Sequence, residues 1–247
     1  MSELTVQFLG TGDAFGSGGR FQTCILVTSP GGTFLIDCGA SSLIAMRRWG
    51  VDPSSIDSIL LTHLHGDHFG GIPFFVLDAQ FVSKRDSPLV IAGPPGLEGR
   101  VRDAMEVLFP GSSQIERRFQ VRFLELQEDR SAQIGPRVVT PHRVRHESGA
   151  PSYSLRVELD GRIISYSGDT EWTDSLVRVA AGADLFICES SSFEKKIKYH
   201  LDYRTLLARR SILDCKRMVL THMGEEMLRH IDEVEFELAE DGMRISL

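Results

Sequence analysis

The sequence predicts a layered α/β fold, and three observations predict it. Short apolar runs recur along the chain and end at glycine, proline or polar clusters, as strands do. Helical periodicity stands between them, as in Leu97, Val101, Met105 and Leu108. The polar residues able to do chemistry sit where apolar runs end, which is where α/β proteins place their sites.

Taken in order, Leu4 to Leu9 alternates apolar and polar residues, as a half-buried strand does. It runs into the glycine-rich stretch Gly10 to Arg20, which is either a surface turn or a loop whose backbone approaches an anion. No Gly-Lys-Ser/Thr follows, so this is not a phosphate-loop motif. Cys24 to Thr28 and Thr33 to Ile36 form a hairpin across Pro30-Gly31-Gly32, and Asp37 follows the second strand. A helix is expected over Ser42 to Trp49, a break at Asp52-Pro53-Ser54, and a strand at Ile59 to Leu61.

Pro73 to Phe81 is apolar and read as helix, Pro88 to Gly93 as a buried strand, and 97 to 108 as helix. Phe119 to Leu126 and Arg137 to Val144 are strands, the second leading to His142 and His146. Ser154 to Leu159 and Arg162 to Tyr166 make a hairpin across Asp160-Gly161. Residues 174 to 181 are helical and Asp184 to Cys188 is a buried strand. His200 to Ile212 is read as a helix with His200 at its start, and Arg217 to Leu220 as a strand. Phe236 to Leu247 reads as strand, turn at Asp241-Gly242, strand. No low-complexity tract or boundary interrupts the chain, so residues 1–247 are expected to form a single domain.

Composition narrows the function. Hydrophobic residues at 42% support a substantial core, and 25% charged residues are ordinary for a soluble protein. Net charge −7 argues against a surface built to neutralise a long phosphate footprint. The stretch Met1 to Thr5 has no cationic segment leading into an apolar one, so no signal peptide is expected. No apolar run reaches the roughly 18 residues that a membrane helix needs. Cys24, Cys38, Cys188 and Cys215 form no Cys-x-x-Cys pair and are expected as thiols in a reducing cytoplasm.

The densest chemical signal is Thr62 to Gly71, where His63, His65, Asp67 and His68 fall just after an apolar run. Packing does not explain four metal-binding side chains this close together. Imidazole and carboxylate suit zinc, manganese or iron. His146, Asp169 and His222 also follow strands, and Leu220-Thr221-His222 echoes Leu61-Thr62-His63. Seven donors exceed what one catalytic ion takes and match two ions roughly 3.5–4 Å apart.

These residues carry a resemblance. The pattern Thr62-His63-x-His65-x-Asp67-His68-x-Gly70-Gly71 is similar to the signature of the metallo-β-lactamase superfamily. Gly10-Thr11-Gly12, Ser165 to Thr170 and His222 resemble the branch of ribonuclease Z and the cyclic phosphodiesterases. The resemblance implies an αβ/βα sandwich of four layers with the site along one edge. It implies that His63, His65 and His146 hold one ion, Asp67, His68 and His222 the other, and that Asp169 bridges both. His142 competes with His146, which is preferred because Gly149 to Leu155 follows it at the family's offset. Asp37 resembles an aspartate that supports the site from behind, the alternative being a turn cap.

His200 resembles the branch's histidine over the site, which donates a hydrogen bond to the phosphate or a proton to the leaving oxygen; the alternative is an exposed helix-start residue. Asp67 is a second candidate for proton transfer. His230 is expected to be merely exposed. The activity implied is a dinuclear metal-dependent hydrolase. The favoured form is a phosphodiesterase in which a bridging hydroxide attacks a small cyclic or nucleotide phosphodiester. The alternatives are tRNA 3′ processing, or hydrolysis of a lactone, thioester or sulfate ester. RNA is disfavoured because residues 70 to 140 hold no long Gly/Pro-rich arm. Arg117, Arg118 and Arg122, and Lys195, Lys196 and Lys198, are basic clusters that a solvated face also explains. Zinc, manganese and iron are all compatible. The branch is often dimeric, so a homodimer is allowed.

Overall fold

The computed structural model describes residues 4–247, so the start of the stretch read as lacking a leader, residues 1–3, lies outside the described residues. The first sheet takes β1 (Thr5–Gly10), β2 (Cys24–Ser29), β3 (Gly32–Ile36), β4 (Ser58–Leu60), β5 (Leu89–Gly93) and β6 (Val121–Glu125). The second takes β7 (Ala132–Ile134), β8 (Arg137–Arg143), β9 (Tyr153–Leu159), β10 (Arg162–Tyr166), β11 (Leu185–Glu189), β12 (Met218–Thr221) and β13 (Glu237–Leu238). The chain then returns to the first sheet with β14 (Arg244–Ser246), which pairs antiparallel with β1. The orders are β14-β1-β2-β3-β4-β5-β6 and β13-β12-β11-β10-β9-β8-β7.

The alternation of side chains along each strand explains the layers. Phe8, Ile25, Val27, Phe34, Ile36 and Leu60 face the second sheet, where Leu155, Val157, Ile164, Tyr166 and Ile187 meet them in one core. Their neighbours Leu9, Leu26, Leu35, Ile59 and Ile91 face outward. There they are covered by α1 (Ser42–Arg48), α3 (Ile72–Phe81) and α4 (Leu97–Leu108). On the far side Phe186, Cys188 and Leu220 meet α5 (Ser175–Ala180), α6 (Tyr203–Arg209) and α7 (Glu225–Leu228). Strands apolar on both faces are what two covered sheets require. The result is the αβ/βα sandwich of four layers.

Strand direction sets the site. β3, β4, β5 and β6 are parallel, as are β10, β11, β12 and β13. The carboxyl ends of β3, β4, β10, β11 and β12 deliver Asp37, His63, Asp169, Glu189 and His222 to one edge of the sandwich.

Several elements differ from the sequence reading. The final segment is strand, turn and strand as read; what the reading did not specify is that β13 and β14 lie in different sheets, the Asp241-Gly242 turn carrying the chain across. Within the metal-type cluster a short helix, α2 (Gly66–Phe69), begins that the sequence reading did not include. The three-residue strand β7 is too short for its alternation to register. His200 does not start a helix: α6 begins at Tyr203, where Asp202 caps it by accepting from the Thr205 N–H at 2.9 Å. His230 is not simply exposed, for its ring stacks on Phe193 at 4.4 Å and pairs with Glu233 at 2.8 Å. All four cysteines are free thiols, Cys24, Cys38 and Cys188 buried and Cys215 half-buried. No helix among the described residues is long and apolar enough to cross a membrane.

Candidate metal centre

Two donor groups meet at the edge. Ligand atoms of His63, His65 and His146 lie within 4.8 Å of one another, and so do those of Asp67, His68, Asp169 and His222. Asp169 stands between the groups. Its Oδ2 is 3.8 Å from His63 Nε2, 3.9 Å from His146 Nε2 and 3.2 Å from His222 Nε2, while Oδ1 is 3.3 Å from His68 Nε2. His142 is elsewhere, paired with Asp129 at 2.5 Å.

Local backbone geometry sets these directions. Gly168 has φ +58°, and a Cβ there would stand 2.6 Å from the Tyr153 carbonyl oxygen, so the turn that presents Asp169 requires glycine. Asp37, Tyr199 and His222 adopt positive φ without being glycine. Such strain collects at functional sites, where surrounding contacts hold it.

Four of the five donor imidazoles are oriented from behind. Asp37 accepts from His68 Nδ1 at 2.7 Å and from the Thr62 N–H and hydroxyl, both at 2.8 Å. His146 Nδ1–H donates to the Tyr199 carbonyl at 2.9 Å, turning its Nε2 toward His65 Nδ1, 2.9 Å away. His222 Nδ1 lies 3.3 Å from the Thr23 hydroxyl, and His63 Nδ1 3.0 Å from that of Thr62. Such outer contacts fix the tautomer that a metal-ligating histidine needs.

The donors fit divalent ions by chemistry as well as position. His63 Nε2, His68 Nε2 and Asp169 Oδ1 are buried yet have no hydrogen-bond partner among the described residues. For His68 the carboxylate oxygens at 3.2 and 3.3 Å are near but not aligned to accept. Burying unpaired polar atoms costs roughly 1–3 kcal/mol each, a cost that a cation between them would remove. Burial drives His63 well below the usual histidine range and lowers His65 and His146, leaving neutral rings with a lone pair to offer. Burial opposes ionisation of Asp169, but His222 and His68 hold its carboxyl well below the usual carboxylate range. Burial likewise opposes charge on His68, yet Asp169, Asp67 and Asp37 raise it well above the ordinary value.

His200 completes the edge. Its Nδ1 is 3.0 Å from Glu189 Oε2 and 4.0 Å from Asp169 Oδ2, and its ring stacks at 9° over His222, 5.8 Å away. Burial works against its charge, but the Glu189 carboxylate pushes its pKa up to about 9. Glu189 is fully buried and also accepts from the Thr170 N–H. The sequence reading missed Glu189. The signal was available: like Asp169 and His222, it is a polar residue at the end of an apolar strand.

His65, Asp67, His146, Asp169, His200 and His222 border a cavity of about 560 Å³. Asp13, Phe15 and Ser17 of the glycine-rich loop form one part of its wall, and Lys195 and Ile197 another. Of the other basic side chains, Lys196 is tied to Asp202 at 2.6 Å, and Lys198 lies over the Tyr199 ring at 4.4 Å.

The family of anti-Pycsar protein Apyc1 matches residues 4–242. The chain is 35% identical over 182 residues to anti-Pycsar protein Apyc1 of Paenibacillus sp., covering 70% of each chain. It is 28% identical to ribonuclease Z of Agathobacter rectalis, over 93% of this chain and 90% of that one. Among solved structures, the metallo-β-lactamase fold protein YhfI of Bacillus subtilis superposes with TM-score 0.77 over 100% of both chains at 21% identity, a likeness of fold.

Proposed function

The chain belongs to the anti-Pycsar Apyc1 family among the metal-dependent hydrolases of metallo-β-lactamase fold, and from this premise we propose that it is a phosphodiesterase acting on a small cyclic or nucleotide phosphodiester. The observation that carries this reading is His200, held by buried Glu189 beside both donor groups. A lactone or thioester hydrolase has less need of such a group, whereas a cleaved phosphodiester must expel an alkoxide.

His63, His65 and His146 would hold one divalent ion and Asp67, His68 and His222 the other, with Asp169 shared; zinc, manganese and iron all accept this donor set. Bound there, the two ions would supply a water-derived nucleophile at neutral pH and clamp the phosphoryl oxygens. The remaining work belongs to the protein. Glu189 engages His200 Nδ1 and favours the charged ring, so the opposite nitrogen is free to give its proton to the departing oxygen. Asp67 borders the cavity and can accept a proton from the attacking water. Asp37, Thr62, Tyr199 and Thr23 keep the four rings turned inward.

The cavity supports a small substrate. About 560 Å³ is within the range that holds a small molecule. Net charge −7 disfavours a long nucleic-acid footprint. Among the described residues, 70–140 is filled by α3, β5, α4, β6 and β7, with no long arm of the kind that grips tRNA in the branch. The likeness to ribonuclease Z supports tRNA 3′ processing as the second reading.

The test is a substrate panel on protein of measured metal content: bis-p-nitrophenyl phosphate, cyclic nucleotides, a lactone and a precursor tRNA. Turnover of cyclic nucleotides, abolished in His68→Ala, is the expected result. Cleavage of precursor tRNA without action on cyclic nucleotides would favour the endonuclease, and activity on the lactone alone would sink both readings.

A further inference from the structure

Phe15 is the most exposed large hydrophobic residue in the described chain, at 93%, and it borders the cavity that holds the donor groups. An aromatic ring in water forgoes the burial that stabilises such side chains. A floppy loop could fold it away, but this loop is pinned. The buried Asp13 carboxylate accepts from the Phe15 N–H at 3.1 Å, the Ser17 N–H at 2.9 Å and the Ser17 hydroxyl at 2.7 Å. Gln22 Nε2 donates to the Ala14 carbonyl at 3.1 Å, and the Gly18 N–H donates to Glu225 at 3.2 Å. Gly12 bridges to both Gln22 and Met223. Backbone contacts on both sides of Phe15 therefore fix its position while its ring stays exposed among the described residues.

We propose that Phe15 is a stacking platform for the nucleobase of the substrate, and that the glycine-rich loop 10–20 is a base-recognition subsite. A rigid aromatic ring beside a reaction centre binds flat π-systems, and it does so for any base because every base has a π-face. The cavity of about 560 Å³ leaves room for more than the phosphoryl group. Ile197, 37% exposed, and Lys195 border the same cavity and add an apolar and a cationic surface. The subsite deepens the phosphodiesterase reading and rests on it for the identity of the ligand.

The test compares a 3′,5′-cyclic nucleotide with the same ribose cyclic phosphate lacking its base, in both turnover and calorimetric binding to metal-loaded protein. Wild type is expected to bind the base-bearing ligand more tightly. Phe15→Ala should weaken that ligand about tenfold or more, through KM rather than kcat, and leave the baseless ligand unchanged. Phe15→Tyr should restore the difference, and Phe15→Leu, apolar but without a π-face, should not. Equal weakening of both ligands, or no change in either, overturns the subsite. Binding separates the two ideas. If neither ligand is cleaved but Phe15→Ala still selectively weakens the base-bearing one, the subsite stands and the reaction assignment falls.

Discussion

The backbone carbonyl of Tyr199 accepts a hydrogen bond from His146 Nδ1 at 2.9 Å, so the loop that carries His200 also orients an imidazole of the first donor group. Tyr199 has φ +71°, a conformation that costs an aromatic residue roughly 1–2 kcal/mol. Glu171 holds it there: Oε1 accepts from the Tyr199 N–H at 2.8 Å, and Oε2 lies 3.2 Å from Arg145 Nε. Glu171 is two residues beyond Asp169, and its own N–H donates to the Arg145 carbonyl at 3.1 Å. One carboxylate thus joins the loops of Asp169, His146 and His200.

Glu171→Ala is therefore expected to release Tyr199 and weaken one of the two ion sites by roughly 10- to 100-fold, the usual effect of losing an outer-shell partner. Glu171→Gln keeps an acceptor for the Tyr199 N–H and should retain both affinities. Zinc titration against a chromogenic chelator reads both sites. Wild-type affinities in Glu171→Ala would show that Tyr199 holds its conformation without the carboxylate.

Removing His200 should discriminate between leaving groups. For a cyclic nucleotide the departing alkoxide needs a proton, and His200→Ala should slow turnover by roughly 10²–10⁴-fold. For bis-p-nitrophenyl phosphate the leaving phenolate is already stable, and the loss should be much smaller. Glu189→Gln, which leaves His200 in place without its charged partner, should follow the same pattern less severely. Equal losses on the two substrates would assign His200 to phosphate binding rather than proton donation.

A stability prediction comes from the seam between the sheets. Arg137 of β8 is fully buried, pairs with Asp57 ahead of β4, and has its guanidinium 4.4 Å from the centre of the Phe34 ring. Asp57→Ala strands that charge in the core and should destabilise the fold by about 3 kcal/mol. Asp57 is itself partly exposed, which limits the loss. Urea unfolding measures it, and a change under about 1 kcal/mol would mean that the Ser58 hydroxyl and Phe34 suffice to hold the guanidinium.

Much of the architecture was legible because local patterns express it. Strands covered on both faces must be apolar throughout, and Leu185 to Cys188 reads that way. The helix at 97–108 matches its periodicity to the residue. The errors fall where a local pattern carries no information about partners. Phe236 to Leu247 reads correctly as strand, turn, strand, but nothing in it says that the two strands find partners in different sheets. His200 looks like the start of a helix because Asp202, the true cap, lies two residues on.

The candidate site divides along the same line. Residue type and position after a strand were enough to nominate His63, His65, Asp67, His68, His146, Asp169 and His222, since few other roles suit that chemistry at strand ends. Residue type did not separate His142 from His146, four positions apart. In the structure His142 stays on β8, paired with Asp129, while His146 lies beyond the strand end and faces Asp169. The role of Glu189 behind His200, the Tyr199 carbonyl behind His146 and the unpacked ring of Phe15 beside the cavity were likewise decided by tertiary structure alone. The partners of Glu189 and of the Tyr199 carbonyl are 11 and 53 residues away. The sequence by itself determined which side chains could act. Which of them meet depends on how two sheets pack face to face, because a hydrogen bond across that seam leaves no periodicity on either strand.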